Sequence, residues 1–128
     1  MAYTSTGINT SATIVAAAGA EADYRGKAVK FNENGNVVLA GAGEVAIGVG
    51  ILTNAELTKA EEDVDIQVKE IGLALAGAEI KKGAELASDA TGKLVTATAG
   101  NFVIATALDN ASAGVFVRVQ ITKYVKTA

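Results

Sequence analysis

The chain has 128 residues, half of them apolar, with 14 glycines, a formal net charge of −3, and no cysteine, histidine or proline. Without Cys or His it has no disulfide, no thiolate or imidazole metal ligand, and no histidine partner for serines such as Ser88 or Ser112. The mildly acidic balance argues against broad nucleic-acid binding, which needs basic surface to displace counterions, and no apolar run approaches the roughly 20 residues of a membrane-spanning helix.

Residues 1–22 read as an N-terminal arm of Ala, Ser, Thr and Gly with apolar anchors at Tyr3, Ile8, Ile14 and Val15. Met1–Thr10 lacks a basic segment followed by an apolar block, so it is not read as a secretory signal, and synthesis in a cytoplasm is expected. Ser11–Ala18 reads as a strand or an extended arm. A segment of this kind either frays or is ordered by a partner.

From residue 23 the chain reads as strands. Lys27–Phe31 and Asn36–Ala40 flank Asn32-Glu33-Asn34-Gly35, and Asn-Gly tolerates the positive φ of a tight hairpin turn. Val45–Leu52 is an apolar strand interrupted by Gly48 and Gly50, which suggest a bend or a close backbone approach. Thr53–Asp63 is the best helix candidate, with Asn54 as its cap, although a polar loop fits nearly as well. Val64, Ile66 and Val68 alternate with Asp65, Gln67 and Lys69, the pattern of a half-buried strand, and Ile71–Leu75 continues it with a kink at Gly72. Ile80-Lys81-Lys82-Gly83 is a turn. Glu85–Ala87 and Lys93–Ala97 flank the hairpin turn Ser88–Gly92. Phe102–Leu108 and Val115–Ile121 are the last two strands.

Arg25–Leu52 recurs as Lys82–Leu108. Gly26 falls on Gly83, Gly35 on Gly92, Val38 on Val95, Ala40 on Ala97, Gly43 on Gly100 and Ile47 on Ile104, without a gap. An alternating strand follows each copy. The expected class is therefore all-β, a small barrel or sandwich of about eight short strands. Residues 23–128 form a single β domain containing the units 25–68 and 82–121, and Gly26, Gly35, Gly83 and Gly92 are its structural turns.

Three stretches invite a chemical reading. Gly41-x-Gly43-x-x-Ala46 follows a strand, as a dinucleotide-binding turn does. That motif needs a helix opening at the second glycine, which Gly48 and Gly50 oppose, and the twin Thr96–Leu108 replaces Gly41 by Thr98 and continues as strand. Glu61, Glu62, Asp63 and Asp65 form an acidic cluster without the glycine and distal glutamate of a calcium loop, so a solvated loop is the expectation. Lys69 and Lys82 lack the methionine-flanked tip of a swinging-arm carrier lysine. No catalytic residue, metal ligand or cofactor is assigned.

The ordered series Gly26-Lys27-Ala28-Val29, Ile47-Gly48-Val49, Val64-Asp65-Ile66-Gln67-Val68, Ile80-Lys81-Lys82-Gly83-Ala84-Glu85-Leu86, Ile104-Ala105-Thr106-Ala107-Leu108 and Val115-Phe116-Val117-Arg118-Val119 resembles the tailed-phage capsid decoration, or cement, proteins. It covers about Asp23–Ile121. The chain departs from that family's pattern at Ala84, where an Asp is frequent, and in an arm without proline. The resemblance implies a non-enzymatic virion protein on the outer capsid surface. It also implies a homotrimer that bridges subunits of the major capsid protein, with no nucleic-acid, membrane or cofactor partner. The label of phage recombinase sometimes attached to the family finds neither a phosphate loop nor a basic DNA face here. Tyr3, Ile8, Ile14 and Val15 become the expected capsid contacts, within a clasp at Ala2–Ala20. Another virion part, such as a tail or head-fibre base, is the alternative, and a small sugar- or nucleotide-binding β module is the third reading.

Overall fold

The computed structural model describes residues 10–127, and every regular element among them is a strand. The strands are β1 (Ser11–Val15), β2 (Ala28–Phe31), β3 (Val37–Leu39), β4 (Gly48–Gly50), β5 (Asp63–Gln67), β6 (Ile71–Leu75), β7 (Glu85–Ser88), β8 (Leu94–Thr96), β9 (Phe102–Ala107) and β10 (Phe116–Val125). They form two antiparallel five-stranded sheets, ordered β1-β5-β4-β2-β3 and β6-β10-β9-β7-β8. The all-β class is as the sequence indicates. The strand count is ten rather than about eight, because Ser11–Val15 pairs as a strand and because Ile71–Leu75 does not continue β5: the chain breaks at Glu70 (φ 67), not at Gly72, and β6 joins the other sheet.

The two sheets have one topology, met twice in chain order. Ser11 corresponds to Ile71, Ala28 to Glu85, Val37 to Leu94 and Asp63 to Phe116. The equivalence extends to backbone detail. A parallel bridge joins Ala16 to Val37 and, in the second unit, Ala76 to Leu94, curling the first strand of each sheet back toward its hairpin. Positive φ recurs at Gly26 and Gly83, Gly35 and Gly92, Gly43 and Gly100, Glu61 and Gly114, and Glu70 and Lys123. The repeat therefore takes in β1 as well. Ser11–Val15 lies antiparallel to β5, with Ala16 and Ala17 buried behind it, so this half of the presumed arm is the first strand of the first unit.

Alternation decides each core. Val29, Val37, Val64 and Ile66 pack with Tyr24 and Ala16 in the first unit. Their counterparts Leu86, Leu94, Val117 and Val119 pack with Ala76 and Ile80 in the second. Ala28, Ala40, Ala46 and Val49 of the first unit join that second cluster, so one apolar body runs across both sheets. Thr53–Asp63 contains turns and bends rather than a helix. Asn54 does not cap one. Its amide nitrogen donates to the carbonyls of Ile51 and Asp65, and its carbonyl oxygen accepts from the Asp65 N–H, tying the loop to β5.

The seam between units is made where backbones approach closely. Ala28 N–H donates to Gly92 O at 2.7 Å, Leu75 N–H to Gly26 O at 2.7 Å, Gly43 N–H to Ser88 O at 2.9 Å and Phe102 N–H to Gly43 O at 3.1 Å. Gly26 lies under Leu75 and the Phe116 ring, and Gly50 lies against the Tyr24 carbonyl, where a methyl group has no room.

Gly50→Ala is expected to cost roughly 3 kcal/mol or more, since the obstructing atom is backbone. Gly83→Ala, in open space but with φ +89, should cost only about 1–2 kcal/mol. Equal shifts of the urea midpoint would contradict this account. Thr58 carries a buried hydroxyl without a partner among the described residues, and Ala111 stands at the equivalent place across the Ala22–Thr58 and Ile80–Ala111 bridges. Thr58→Val should therefore raise stability by about 1 kcal/mol in the same assay.

Candidate functional site

The Gly41–Ala46 stretch is a turn between β3 and β4. The Gly41 N–H that a phosphate would need already donates to the carboxylate of Glu44 at 2.6 Å, and Lys30 pairs with the other oxygen of that carboxylate at 2.8 Å. Gly43 has φ +67 and spends both its N–H and its carbonyl on the second unit. Gly43 builds the seam, and Gly41 is closed off by Glu44.

Two residues of the acidic cluster are likewise used by the chain. Glu62 accepts the Lys59 N–H at 2.7 Å, and Asp65 accepts the Thr13 hydroxyl at 2.7 Å, fastening β1 to β5. Among the described residues no three carboxylates converge on a point that could hold a metal ion. The Lys82 N–H donates to the Asn110 side chain. Ion pairs join Arg25 to Asp23, Arg118 to Asp109 and Lys126 to Glu85. The Arg25 guanidinium, hydrogen-bonded to Asp23, holds that carboxyl below the usual aspartate range, and Arg118 does the same for Asp109. Lys126 and then Tyr124, both bonded to Glu85, lower its pKa and clamp the end of β10 to β7.

Beside these polar groups, apolar side chains stand exposed on two faces. Phe31 and Val45, 44% and 64% exposed, border a groove with Ile47 and the Lys30–Glu44 pair. A second area lies on the outer face of β6 and β10. There Leu75 is opposite Phe116, Leu73 is opposite Arg118 and Ile71 is opposite Gln120. Leu73 also lines a cavity of about 220 Å³ with Leu52, Ile51, Gly50, Gly72 and Gln67. The first unit carries Ser11, Thr13, Val15 and Asp63 where the second has Ile71, Leu73, Leu75 and Phe116. The topology is the same, so the fold does not demand apolar groups at those positions.

The predicted contact residues are divided by the structure. Tyr3 and Ile8 lie outside the described residues. Ile14 turns toward the core of the first unit, and its neighbour Val15 is exposed. Gly26, Gly35, Gly83 and Gly92 all have positive φ, between +70 and +89. Gly26 and Gly92 sit in the seam, and Gly35 and Gly83 face open space. The sequence reading missed Phe31, Val45 and Ile71 as surface groups. The signal was present in the repeat, since Phe31 aligns with Ser88 and Ile71 with Ser11.

No family model matches the chain, and no curated protein matches it. A solved structure does: the head fibre gp8.5 N base of bacteriophage phi29 superposes with a TM-score of 0.66 at 19% identity, over 88% of this chain and 94% of that one. The chain has the fold of a phage head-fibre base. At that identity the likeness establishes architecture, and the residues on the exposed faces are this chain's own.

The Glu85 clamp makes a pH prediction. Its folded pKa is depressed, so its contribution is present above the ordinary glutamate pKa and is lost as pH falls through the lowered folded value. Glu85→Gln should flatten the acid side of the stability–pH curve and speed amide exchange at Tyr124 and Val125 at neutral pH. An unchanged acid limb would remove Glu85 from this role.

Proposed function

We propose that this protein is a structural component of a phage virion, seated on the outside of the head as the base of a fibre or a related head-attached part. The observation that carries this reading is the shared architecture with a head-fibre base, which extends along nearly the whole of both chains. The disposition of side chains agrees with it. Phe31, Val45, Ile71, Leu73 and Phe116 are exposed large apolar side chains, and they gather on two faces of the described residues. A surface of that kind suits protein contact rather than catalysis, and the protein is read as non-enzymatic and without a cofactor.

A second reading is favoured by the ordered series of residues that resembles the capsid decoration proteins. On that reading the protein is a homotrimer that binds the major capsid protein and bridges its subunits. Many weak attachments on one shell would add to its stability through multivalency. Both readings place the protein on the outer capsid surface. They differ in whether it carries a fibre or cements the lattice.

The capsid clasp is now best assigned to residues 2–9. Ser11–Val15 is a paired strand, and Ala16 and Ala17 are buried, so removing 2–20 would strip a strand from the first sheet. Purified protein should co-sediment with undecorated heads of its phage and appear as regular surface density on imaging. Deleting residues 2–9 should weaken that binding at least tenfold with the melting temperature nearly unchanged, and deleting 2–20 should lower the melting temperature as well. Heads that stay bare at saturating protein would overturn the head-surface assignment. Full binding by the shorter deletion would sink the clasp alone.

A further inference from the structure

We infer that copies of this chain associate head to tail, by repeating between molecules the contact that already joins its two units. This deepens the self-association part of the reading above and does not depend on attachment to a capsid. The internal contact is one-sided. The first unit presents the turn Ala40–Gly43, and the second receives it on Ser88 and Phe102. Ser88 Oγ lies 3.3 Å from Ala40 O and 2.9 Å from Asp89 O, Gly43 N–H donates to Ser88 O at 2.9 Å and Phe102 N–H to Gly43 O at 3.1 Å. The equivalent groups do not meet each other, so the contact is heterologous, and each molecule is left with one unused socket and one unused plug.

The socket is on the first unit. Phe31 and Val45 occupy the places of Ser88 and Phe102. Ser88 is buried beneath the turn at 3% exposure and Phe102 is half-covered, whereas Phe31 and Val45 are open. The Val45 N–H, counterpart of the one that Phe102 gives to Gly43, has no hydrogen-bond partner among the described residues. The plug is on the second unit. Ala97–Gly100 repeats Ala40–Gly43 with small side chains, Thr98, Ala99 and Gly100 are exposed, and Gly100 shares the positive φ of Gly43. The Gly100 carbonyl, counterpart of the Gly43 carbonyl that accepts from Phe102, is also without a partner among the described residues. The Gly100 N–H is held by Lys126 O at 2.8 Å, so docking uses the carbonyl and the apolar cover.

Charge favours the same pairing. Ser11–Lys69 holds nine acidic and five basic residues, a net −4, and Glu70–Lys126 holds five acidic and six basic, a net +1, together the chain's −3. A head-to-tail contact sets the acidic unit of one copy against the weakly basic unit of the next, which favours encounter and register. The occupant of the Phe31–Val45 face is therefore a second copy of this chain, entering with its Thr98–Gly100 turn.

The test is sedimentation velocity on purified full chain, with Val45→Asp breaking the socket and Ala99→Asp breaking the plug. Both positions are exposed, and circular dichroism checks that each variant folds. Wild type is expected to be oligomeric and each variant alone monomeric. An equimolar mixture should yield a 1:1 dimer and nothing larger, because one intact plug and one intact socket remain between the two variants. A monomeric wild type would overturn self-association altogether. An oligomer indifferent to both substitutions, or a mixture that stays monomeric, would overturn this face. Co-sedimentation with heads, scored separately, reports on capsid attachment. Loss of head binding by Val45→Asp from a monomeric wild type would assign the face to a capsid partner and overturn the inference.

Discussion

Close backbone approach at the seam between the two units is the constraint on which the rest of this structure depends. Among the described residues, four backbone hydrogen bonds cross it through Gly26, Ala28, Gly43 and Gly92, and a methyl group added at Gly26, Gly43 or Gly92 would crowd Leu75, Asn101 or Ala28. The same small residues let Val49 and Ala46 reach the second unit's core. A chain with few aromatics has few large side chains with which to fill a thick interior. It gains burial by bringing thin sheets close together, and the abundance of Gly and Ala follows from that geometry.

Duplication gives the molecule an internal control. Two units with one topology and one set of positive-φ positions meet different surroundings, so differences between equivalent residues report on surroundings rather than on fold. Where the second unit is covered by the first, the chain has Ser88. Where the equivalent site is uncovered, it has Phe31. Where the outer face of the first unit is polar, with Thr13 and Asp63, the second carries Leu73 and Phe116. An exposed apolar group in a single domain is commonplace. One that replaces a buried serine at an equivalent position is more informative, because the fold has shown that it can do without it.

The end of the chain is fixed in another way. Beyond the irregularity between Ile121 and Tyr124, β10 continues along β9, and Tyr124 and Lys126 converge on Glu85. These are partly exposed polar contacts, and their individual contribution is small. Their effect is to hold Lys126 over the Gly100 turn and so to set which backbone groups of that turn remain open. Structure at the two ends of the repeat is thus unequal, and a directional contact between copies follows from that inequality.

The sequence by itself determined the all-β class, the duplication and nearly all the strands after residue 23. Those features rest on local physics: alternation with period two, and turn residues such as Asn34-Gly35 that accept positive φ. It also argued against the nucleotide-binding reading of Gly41–Ala46, through comparison with its own twin. Only the tertiary structure decided that Ser11–Val15 is a paired strand rather than an extended arm, because the partner that holds it, β5, lies some fifty residues away in the chain. It likewise decided that Thr53–Asp63 is not helical, since Asn54 bonds to Asp65 instead of to the turn ahead of it. The exposed positions Phe31, Val45 and Ile71 belong to the same class. Exposure depends on what the other unit covers, and that is a property of the assembled chain rather than of any stretch within it.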